Sequence, residues 1–257
     1  MHRFSLLLLF LGLPLFSTLD GQSLLEQLDE VLASPPDLHQ AWRLDTLADL
    51  FIAAKEVIPD ILFIRAEELA RRHNNYEQLA WTYRDRYVYH KRRGEFETSL
   101  VYVDQAIEYG SKVVSESFPL DDAYLEKVDI LLFAGRTKES ADLASSLTKK
   151  YHDSGNRYAE ISAYSSLSTI SSGLGNHELT LRYDSIATAL ARKLGDDNRL
   201  SQVLFTASVN LSILDYPEKA LALAEEALVF AKKTEGPWDD EDALSARAEA
   251  NTALGNY

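Results

Sequence analysis

Residues 94–110 read GEFETSLVYVDQAIEYG. Gly94 ends one helical pattern, and Phe96 opens another. From there Ser99, Val103, Ala106 and Ile107 recur at i, i+4, i+7 and i+8, which predicts a helix with one packing face. The alanines on such faces let a second helix approach closely, where larger side chains would hold it away. Working outward, the same arrangement returns. Gly135-Arg136-Thr137 lies 41 residues on, Gly175-Asn176-His177 a further 40, Asp215-Tyr216 a further 40, and Gly255-Asn256-Tyr257 a further 40. A fixed period of this size marks a repeat architecture.

After each turn a one-sided helix is expected. Thr137 opens a segment with Ala141, Ala144 and Leu147 on its face. His177 opens one with Leu181, Ala187 and Leu190. Tyr216 opens one with Ala220, Ala224, Ala227 and Leu228. Before each turn lies a partner helix: Glu77 to Arg93, Asp121 to Ala134, Arg157 to Gly173, Asn198 to Leu214, and Glu241 to Leu254. About eleven positions before the turn stands Tyr83, Tyr124, Tyr164, Leu204 or Leu244. Pro59, Pro119, Pro217 and Pro237 sit where helices begin, the position in which a missing N–H costs nothing. Leu38 to Arg72 reads as one more, degenerate pair, with Ala66 in the packing place. Ser23 to Ala33 reads as a capping helix.

One helix pair cannot bury its apolar face alone, so pairs stack into a solenoid. Tyr83, Gly94, Phe96, Ala106 and Ile107 carry a resemblance to the tetratricopeptide repeat. So do Tyr216, Ala220, Ala227 and Leu228, and Leu254 through Tyr257. The likeness covers residues 37–257. It implies an all-α fold, a right-handed α-solenoid of stacked antiparallel helix pairs, and a protein or peptide partner held by the first helix of each pair. Two departures stand out. The usual repeat has about 34 residues, and Ser168 and Ser208 stand where glycine is usual. The longer form is similar to repeats of bacterial sensor kinases and large transcriptional regulators. HEAT and armadillo arrays share the 40-residue period but lack the Gly-x-aromatic turn.

The N-terminus predicts export. His2 and Arg3 precede an apolar run, Ser5 to Phe16, of 12 residues. A membrane-spanning helix needs about 20, whereas a secretory signal uses a run of this size. Residues 1–21 are therefore read as a signal peptide cut after Gly21, with Thr18 as an alternative; a buried first helix is the competing reading. Residues 22–36 then form the cap and linker. The chain has no cysteine, which excludes thiolate metal sites and a lipid-anchored start. No later stretch is apolar enough to cross a bilayer. At the other end, Tyr257 opens a helix whose partner has just been made, so the array is expected to continue; a short cap over Trp238 to Tyr257 is the alternative.

No catalytic, cofactor or metal motif is found: no P-loop, no G-x-G-x-x-G, no G-x-S-x-G, and no zinc spacing among the six histidines. A non-enzymatic role is expected. A net charge of −14 argues against nucleic acid or anionic lipid as partner. Asp239 to Asp242 precede a helix, where acids favour the positive dipole end. Asn210-Leu211-Ser212 matches a glycosylation acceptor, but mid-helix.

Two segments are candidates for binding. WTYRDRYVYHKRR, residues 81–93, is basic and aromatic in an acidic chain. Trp81, Arg84, Val88, Lys91 and Arg92 share one helix side, which the resemblance turns toward the groove. Aromatic and arginine side chains are common binding anchors, and such a surface suits an acidic or carboxylate-bearing peptide. Alternatively the tyrosines pack between helices and the basic residues offset neighbouring acids. SAYSSLSTISS, residues 162–172, crowds small residues onto one helix, either for close packing or as a hydrogen-bonding groove wall. The expected function is a protein-binding scaffold outside the cytoplasmic membrane, in the periplasm or beyond. The alternative is the sensory input region of a sensor histidine kinase or regulator, with its membrane span and effector after residue 257.

Overall fold

A computed structural model describes residues 23–54, 60–115 and 117–233, together with the single positions Ala248 and Asn251. Among these residues every regular element is helical. In chain order they are α1 (Leu24–Ala33), α2 (Leu38–Ala53), α3 (Asp60–Arg72), α4 (Tyr76–Arg92), α5 (Phe96–Gly110), α6 (Leu120–Phe133), α7 (Thr137–Ser154), α8 (Arg157–Gly173), α9 (His177–Leu194), α10 (Asp197–Ile213) and α11 (Pro217–Ala231). The fold class is all-α, of the α-solenoid type, with neighbouring helices packed in pairs. The signal peptide, Pro59, the acids Asp239 to Asp242 and the turn at Gly255 lie outside the described residues, as does the helix expected over Glu241 to Leu254 except at Ala248 and Asn251, both helical.

The turns show why the period holds. At Gly135 the backbone enters the left-handed region, with φ at 76°. The Arg136 N–H then donates back to the Leu131 carbonyl at 2.9 Å, and the Gly135 N–H to Leu132 at 3.0 Å. That pair of bonds satisfies carbonyls the helix end would leave orphaned. Forty residues on, Asn176 donates to Ser171 and Gly175 to Ser172, both at 2.9 Å. After another forty, Tyr216 donates to Leu211 at 2.9 Å and Asp215 to Ser212 at 3.1 Å. Asp215 adopts φ of 62°, so it takes the glycine conformation at a steric cost. Each turn leaves the chain already inside the next helix, since Arg136 and Asn176 are also N-caps.

A second family of turns, between pairs, went unread in the sequence. Gly155 and Gly195 end α7 and α9 with φ of 75° and 74°. Asn156 and Asp196 follow, and their side chains accept from the N–H groups of Ala159 at 3.2 Å and Arg199 at 2.9 Å. These N-caps are again forty residues apart. At the start of the fold, Ser23 and Glu26 form a reciprocal capping box on α1.

The described chain divides into two compact units. In the first, α1 packs on α2, α2 on α3, α3 on α4, and α2 touches α4 directly. Leu44, Phe51, Leu62, Ala66 and Leu69 form its core. Polar groups tie it together as well. The Gln40 amide donates to the Val31 carbonyl at 2.8 Å and the Ser34 carbonyl at 3.0 Å, closing the end of α1. The Asp45 carboxylate accepts from Gln78 at 2.6 Å and Thr82 at 3.1 Å, so it joins α2 to α4. Residues 105–118 belong to this unit, and residues 94–104 to the other.

In the second unit the first helices α6, α8 and α10 lie side by side, with α7, α9 and α11 packed on them. Ala220, Ala224, Ala227 and Leu228 are all buried, as their spacing predicts. On α9 the expectation needs correction. Leu181 is 40% exposed, and the buried face instead carries Thr180, Asp184, Ala187 and Ala191. The reason is polar packing between paired helices. Ser168 donates to the Thr180 carbonyl at 3.2 Å and Ser208 to the Ala220 carbonyl at 2.9 Å. In the α6–α7 pair the same position is bridged from the other side, Ser140 donating to the Val128 carbonyl at 2.8 Å. Serine where glycine is usual thus keeps the helices close and adds a buried hydrogen bond, worth about 1 kcal/mol.

Candidate functional site

The second unit has a polar cleft of about 240 Å³ along its first helices. The forty-residue period places equivalent residues in rows across α6, α8 and α10. One row is Asp122, Ser162 and Gln202, another Glu126, Ser166 and Thr206, and a third Asp129, Thr169 and Val209. Asp129 stands on one wall, Ser162, Ser165, Ser166 and Thr169 on the floor, and Arg199, Gln202 and Thr206 on the far wall.

The serine-rich helix serves both of the purposes its composition allows. Ser168, Ser171 and Ser172 are buried against neighbouring helices. Ser162, Ser165, Ser166 and Thr169, at i, i+3, i+4 and i+7, face the cleft. Among the described residues the hydroxyls of Ser165, Ser166 and Thr169 make no hydrogen bond. Each can both donate and accept. Hydroxyls in a helix usually bond back to the preceding turn, as Ser171 does to the Leu167 carbonyl at 2.8 Å. These three are free to meet a ligand.

Arg199 is held rather than paired. Asp196 caps α10 and also accepts from the Tyr158 hydroxyl at 2.8 Å. Both bonds hold the Asp196 carboxyl below its ordinary range, the backbone N–H of Arg199 contributing most. Tyr158 in turn supports the Arg199 guanidinium, 5.5 Å from its ring centre. One guanidinium N–H donates to Ser162 at 3.1 Å. No carboxylate of the described residues lies within ion-pairing distance of Arg199. The facing acid is Asp122 on α6. Desolvation raises its carboxyl above the ordinary aspartate value, Arg199 partly offsets this, and Asp121 and Glu126 add to the rise.

Under the cleft lies a buried network. Asn210 donates to the Ser168 hydroxyl at 3.0 Å and the Asp184 carboxylate at 3.2 Å. The second Asp184 oxygen is buried without a partner. Burial raises this carboxyl above the ordinary value, against the pull of Ser168 and Asn210. Asn210 is only 1% exposed, so the folded chain cannot present it as a glycosylation acceptor.

The five residues singled out on α4 lie in the first unit. The Trp81 ring meets Phe118 edge-on, with centroids 5.4 Å apart. Arg84 donates to Asp85 at 2.9 Å and to Asp49 at 3.2 Å and lies 5.9 Å from the Trp81 ring. Val88 packs on the first unit's core. Lys91 is half-buried and Arg92 exposed. Neighbouring Tyr83 is buried and stacks on Tyr109, with centroids 5.6 Å apart, while Arg71 donates to both hydroxyls at 2.8 Å.

No family model matches the sequence, and no curated protein matches it either. Solved structures do. BtubC (BKLC) from P. vanneervenii aligns over 91% of this chain and 85% of its own, with a TM-score of 0.53 and 16% identity. A signal-transduction ATPase with numerous domains, carrying a tetratricopeptide-repeat sensor, from Pyrococcus horikoshii aligns over 90% of this chain. Its TM-score is 0.65 at 17% identity, and this chain spans 36% of its length. At such identities the likeness speaks for the fold. With the forty-residue turns and the paired helices, it makes the chain a tetratricopeptide-like helical repeat protein.

Proposed function

We propose that this chain is a non-catalytic scaffold that binds a protein or peptide on its first-helix face, in the space outside the cytoplasmic membrane. The observation that carries binding is the cleft over α6, α8 and α10, whose floor holds three hydroxyls without a hydrogen bond. A surface serving only solubility would favour flexible charges over half-buried hydroxyls. Location rests on the apolar run Ser5 to Phe16 after Arg3. Among the described residues no helix is long and apolar enough to cross a membrane.

Filling the cleft tests the binding role. The Ser166→Trp chain should lose a partner that wild type retains from an extracytoplasmic extract, with unchanged helical circular dichroism. Equal retention refutes it. N-terminal sequencing of the exported protein should begin at Gln22; a chain that keeps Met1 and stays in the cytoplasm refutes export. The basic side of α4 is a second contact region, suited to an acidic partner. Its test is capture by the triple variant of Arg84, Lys91 and Arg92 to Ala, where undiminished capture returns these residues to packing and charge balance.

A second reading makes the array the input region of a membrane-bound sensor histidine kinase or transcriptional regulator. The repeat sensor named for the Pyrococcus horikoshii protein lends it support. It requires an apolar helix of about 20 residues and effector motifs encoded after Tyr257; a stop codon there refutes it.

A further inference from the structure

Within the cleft, α10 lies directly against α8 and forms a seam with it. The Arg199 guanidinium bridges that seam through its 3.1 Å bond to Ser162. A guanidinium has five N–H donors, and the serine takes one. One turn further along α10, the Gln202 amide donates to Asn198 at 2.7 Å. Its carbonyl oxygen is left without a donor among the described residues. On α8 stand the unbonded hydroxyls of Ser165, Ser166 and Thr169. The seam thus offers donors at Arg199, an acceptor at Gln202, and hydroxyls that do either.

The charges of the lining are balanced and already engaged. It carries one base, Arg199, and one acid, Asp129. Asp129 has a partner within the fold, and Arg199 already acts on Asp122. An acidic ligand would share Arg199 with Asp122 and enter the field of a chain carrying −14. A basic one would bring like charge to Arg199 and compete for Asp129 with its existing partner. An apolar one would meet Val203 alone, since the other described lining residues are polar. A sugar ring stacks its apolar face on aromatic side chains, and none of the described lining residues is aromatic. An uncharged polar peptide meets none of these objections. Each of its residues brings one N–H and one C=O, and these need partners on leaving water. From Arg199 to Thr206 along α10, and from Ser162 to Thr169 along α8, is seven residues of helix, or about 10 Å. An extended chain rises about 3.3 Å per residue, so a segment laid along the seam spans it in roughly three residues.

We propose that the seam between α8 and α10 recognises an extended, uncharged polar peptide segment, about three residues long and rich in serine, threonine, asparagine or glutamine. Arg199 donates to its carbonyls, Gln202 accepts from its N–H groups, and the α8 hydroxyls serve either. This rests on the first-helix face being the binding surface and names the ligand chemistry that face accepts.

The test is equilibrium selection of a random decapeptide library, blocked at both termini, on the full chain. It is scored as residue enrichment over input, with a neutral dextran as a parallel probe. Wild type should enrich Ser, Thr, Asn and Gln over Asp, Glu, Lys and Arg at successive positions. The expected enrichment is roughly tenfold, equivalent to about 1.4 kcal/mol. Arg199→Met and Gln202→Met should each weaken the selected peptide by roughly threefold to tenfold, the loss of one hydrogen bond. Raising sodium chloride from about 50 to about 500 mM should change its affinity less than about twofold, since salt screens charges and the ligand has none. Enrichment of charged or apolar residues, a tenfold loss of affinity in the higher salt, or unchanged affinity in both Met variants overturns the proposal. If Ser166→Trp still abolishes selection in those cases, the cleft binds a different class. Dextran retained by wild type and lost by Ser166→Trp, with no peptide enriched, makes the ligand a carbohydrate and likewise overturns it. Selection that survives Ser166→Trp, or retention of neither probe, overturns the underlying binding role too. Ser165→Tyr is the second blocking variant, used if Ser166→Trp lowers helical content.

Discussion

The repeated turn makes a quantitative prediction about glycine. Gly135 and Gly175 hold φ of 76° and 68°, and an added Cβ at either would meet no atom within 4 Å. Replacing them with alanine therefore introduces no clash, only the left-handed backbone cost, about 1–2 kcal/mol for an L-residue. Alanine also restricts the unfolded chain, which returns about 0.4–1 kcal/mol. The net expectation is a loss of about 1 kcal/mol for each. Asp215 provides the reverse case, because the chain already places an L-residue there. Its carboxylate has no partner among the described residues, and aspartate tolerates this region better than most. Asp215→Gly should thus gain about 0.5 kcal/mol by the same arithmetic. The assay is urea unfolding of the full chain followed by far-ultraviolet circular dichroism, with the denaturant slope checked for constancy. Thermally, a change of 1 kcal/mol corresponds to about 2–4 °C in a chain of this size. A loss above about 3 kcal/mol for Gly135→Ala would mean that packing, not backbone conformation, selects glycine. Destabilisation by Asp215→Gly would refute the equivalence of the three turns.

Further expectations follow from the interior. Ser208→Ala should cost about 0.5–1.5 kcal/mol, since it removes the side-chain hydrogen bond to the Ala220 carbonyl, which keeps its intrahelical donor, and Ser208→Gly should cost more through helix propensity; a neutral Ser208→Ala in urea unfolding would refute the pinning role. Because Asp184 has a raised folded-state pKa, stability is greatest below its unfolded value and declines as pH rises through the folded one. Asp184→Asn should therefore raise the melting temperature at pH 7.5 and lose that advantage toward pH 4; equal effects at both pH values would show that ionisation is not involved. Ala224→Leu should cost about 1–3 kcal/mol or more by forcing α11 from its partner, measured by the same unfolding assay; unchanged stability would show that this face is loosely packed.

Most of the fold was legible because its determinants are local. A glycine at a left-handed position and small residues at helical spacing both leave a mark in sequence. Hence Arg157–Gly173 was placed to the residue, and the neighbouring helices to within one. The error at Leu181 has a physical cause. Apolar spacing suggests burial, but Thr180 and Asp184 take the interior: the Thr180 hydroxyl bonds back to the Asn176 carbonyl, its own carbonyl accepts from Ser168, and one Asp184 oxygen accepts from Asn210. The turns at Gly155 and Gly195 join one pair to the next, and the sequence marks them only through the Asn156 and Asp196 N-caps that follow. The candidate site divided in the same way. Residues 81–93 stood out by charge contrast, and several of those charges are paired within the fold, as Arg84 is with Asp85. The serine helix carried a weaker signal, since a serine suits either an interface or a wet surface. What separates the two roles is register, with Ser162, Ser165, Ser166 and Thr169 on one side and Ser168, Ser171 and Ser172 on the other. Arg199 leaves no mark in the sequence, because its importance lies in Tyr158 and Ser162, both far from it along the chain.

The turns within pairs constrain how this protein can change length. Only Ala134, Gly135 and Arg136 separate α6 from α7, and Leu174, Gly175 and Asn176 separate α8 from α9, each trio serving as C-cap, left-handed glycine and N-cap, so no spare residue lies between. One inserted residue there would rotate the following helix by about 100° and carry its alanines out of the interface. Insertions in whole turns, matched on both helices of a pair, would instead lengthen the walls and preserve the register. A repeat of forty residues in place of about thirty-four is about six longer, close to the roughly seven that one added turn on each helix brings, and length variants of this chain should be sought, or engineered, in those steps.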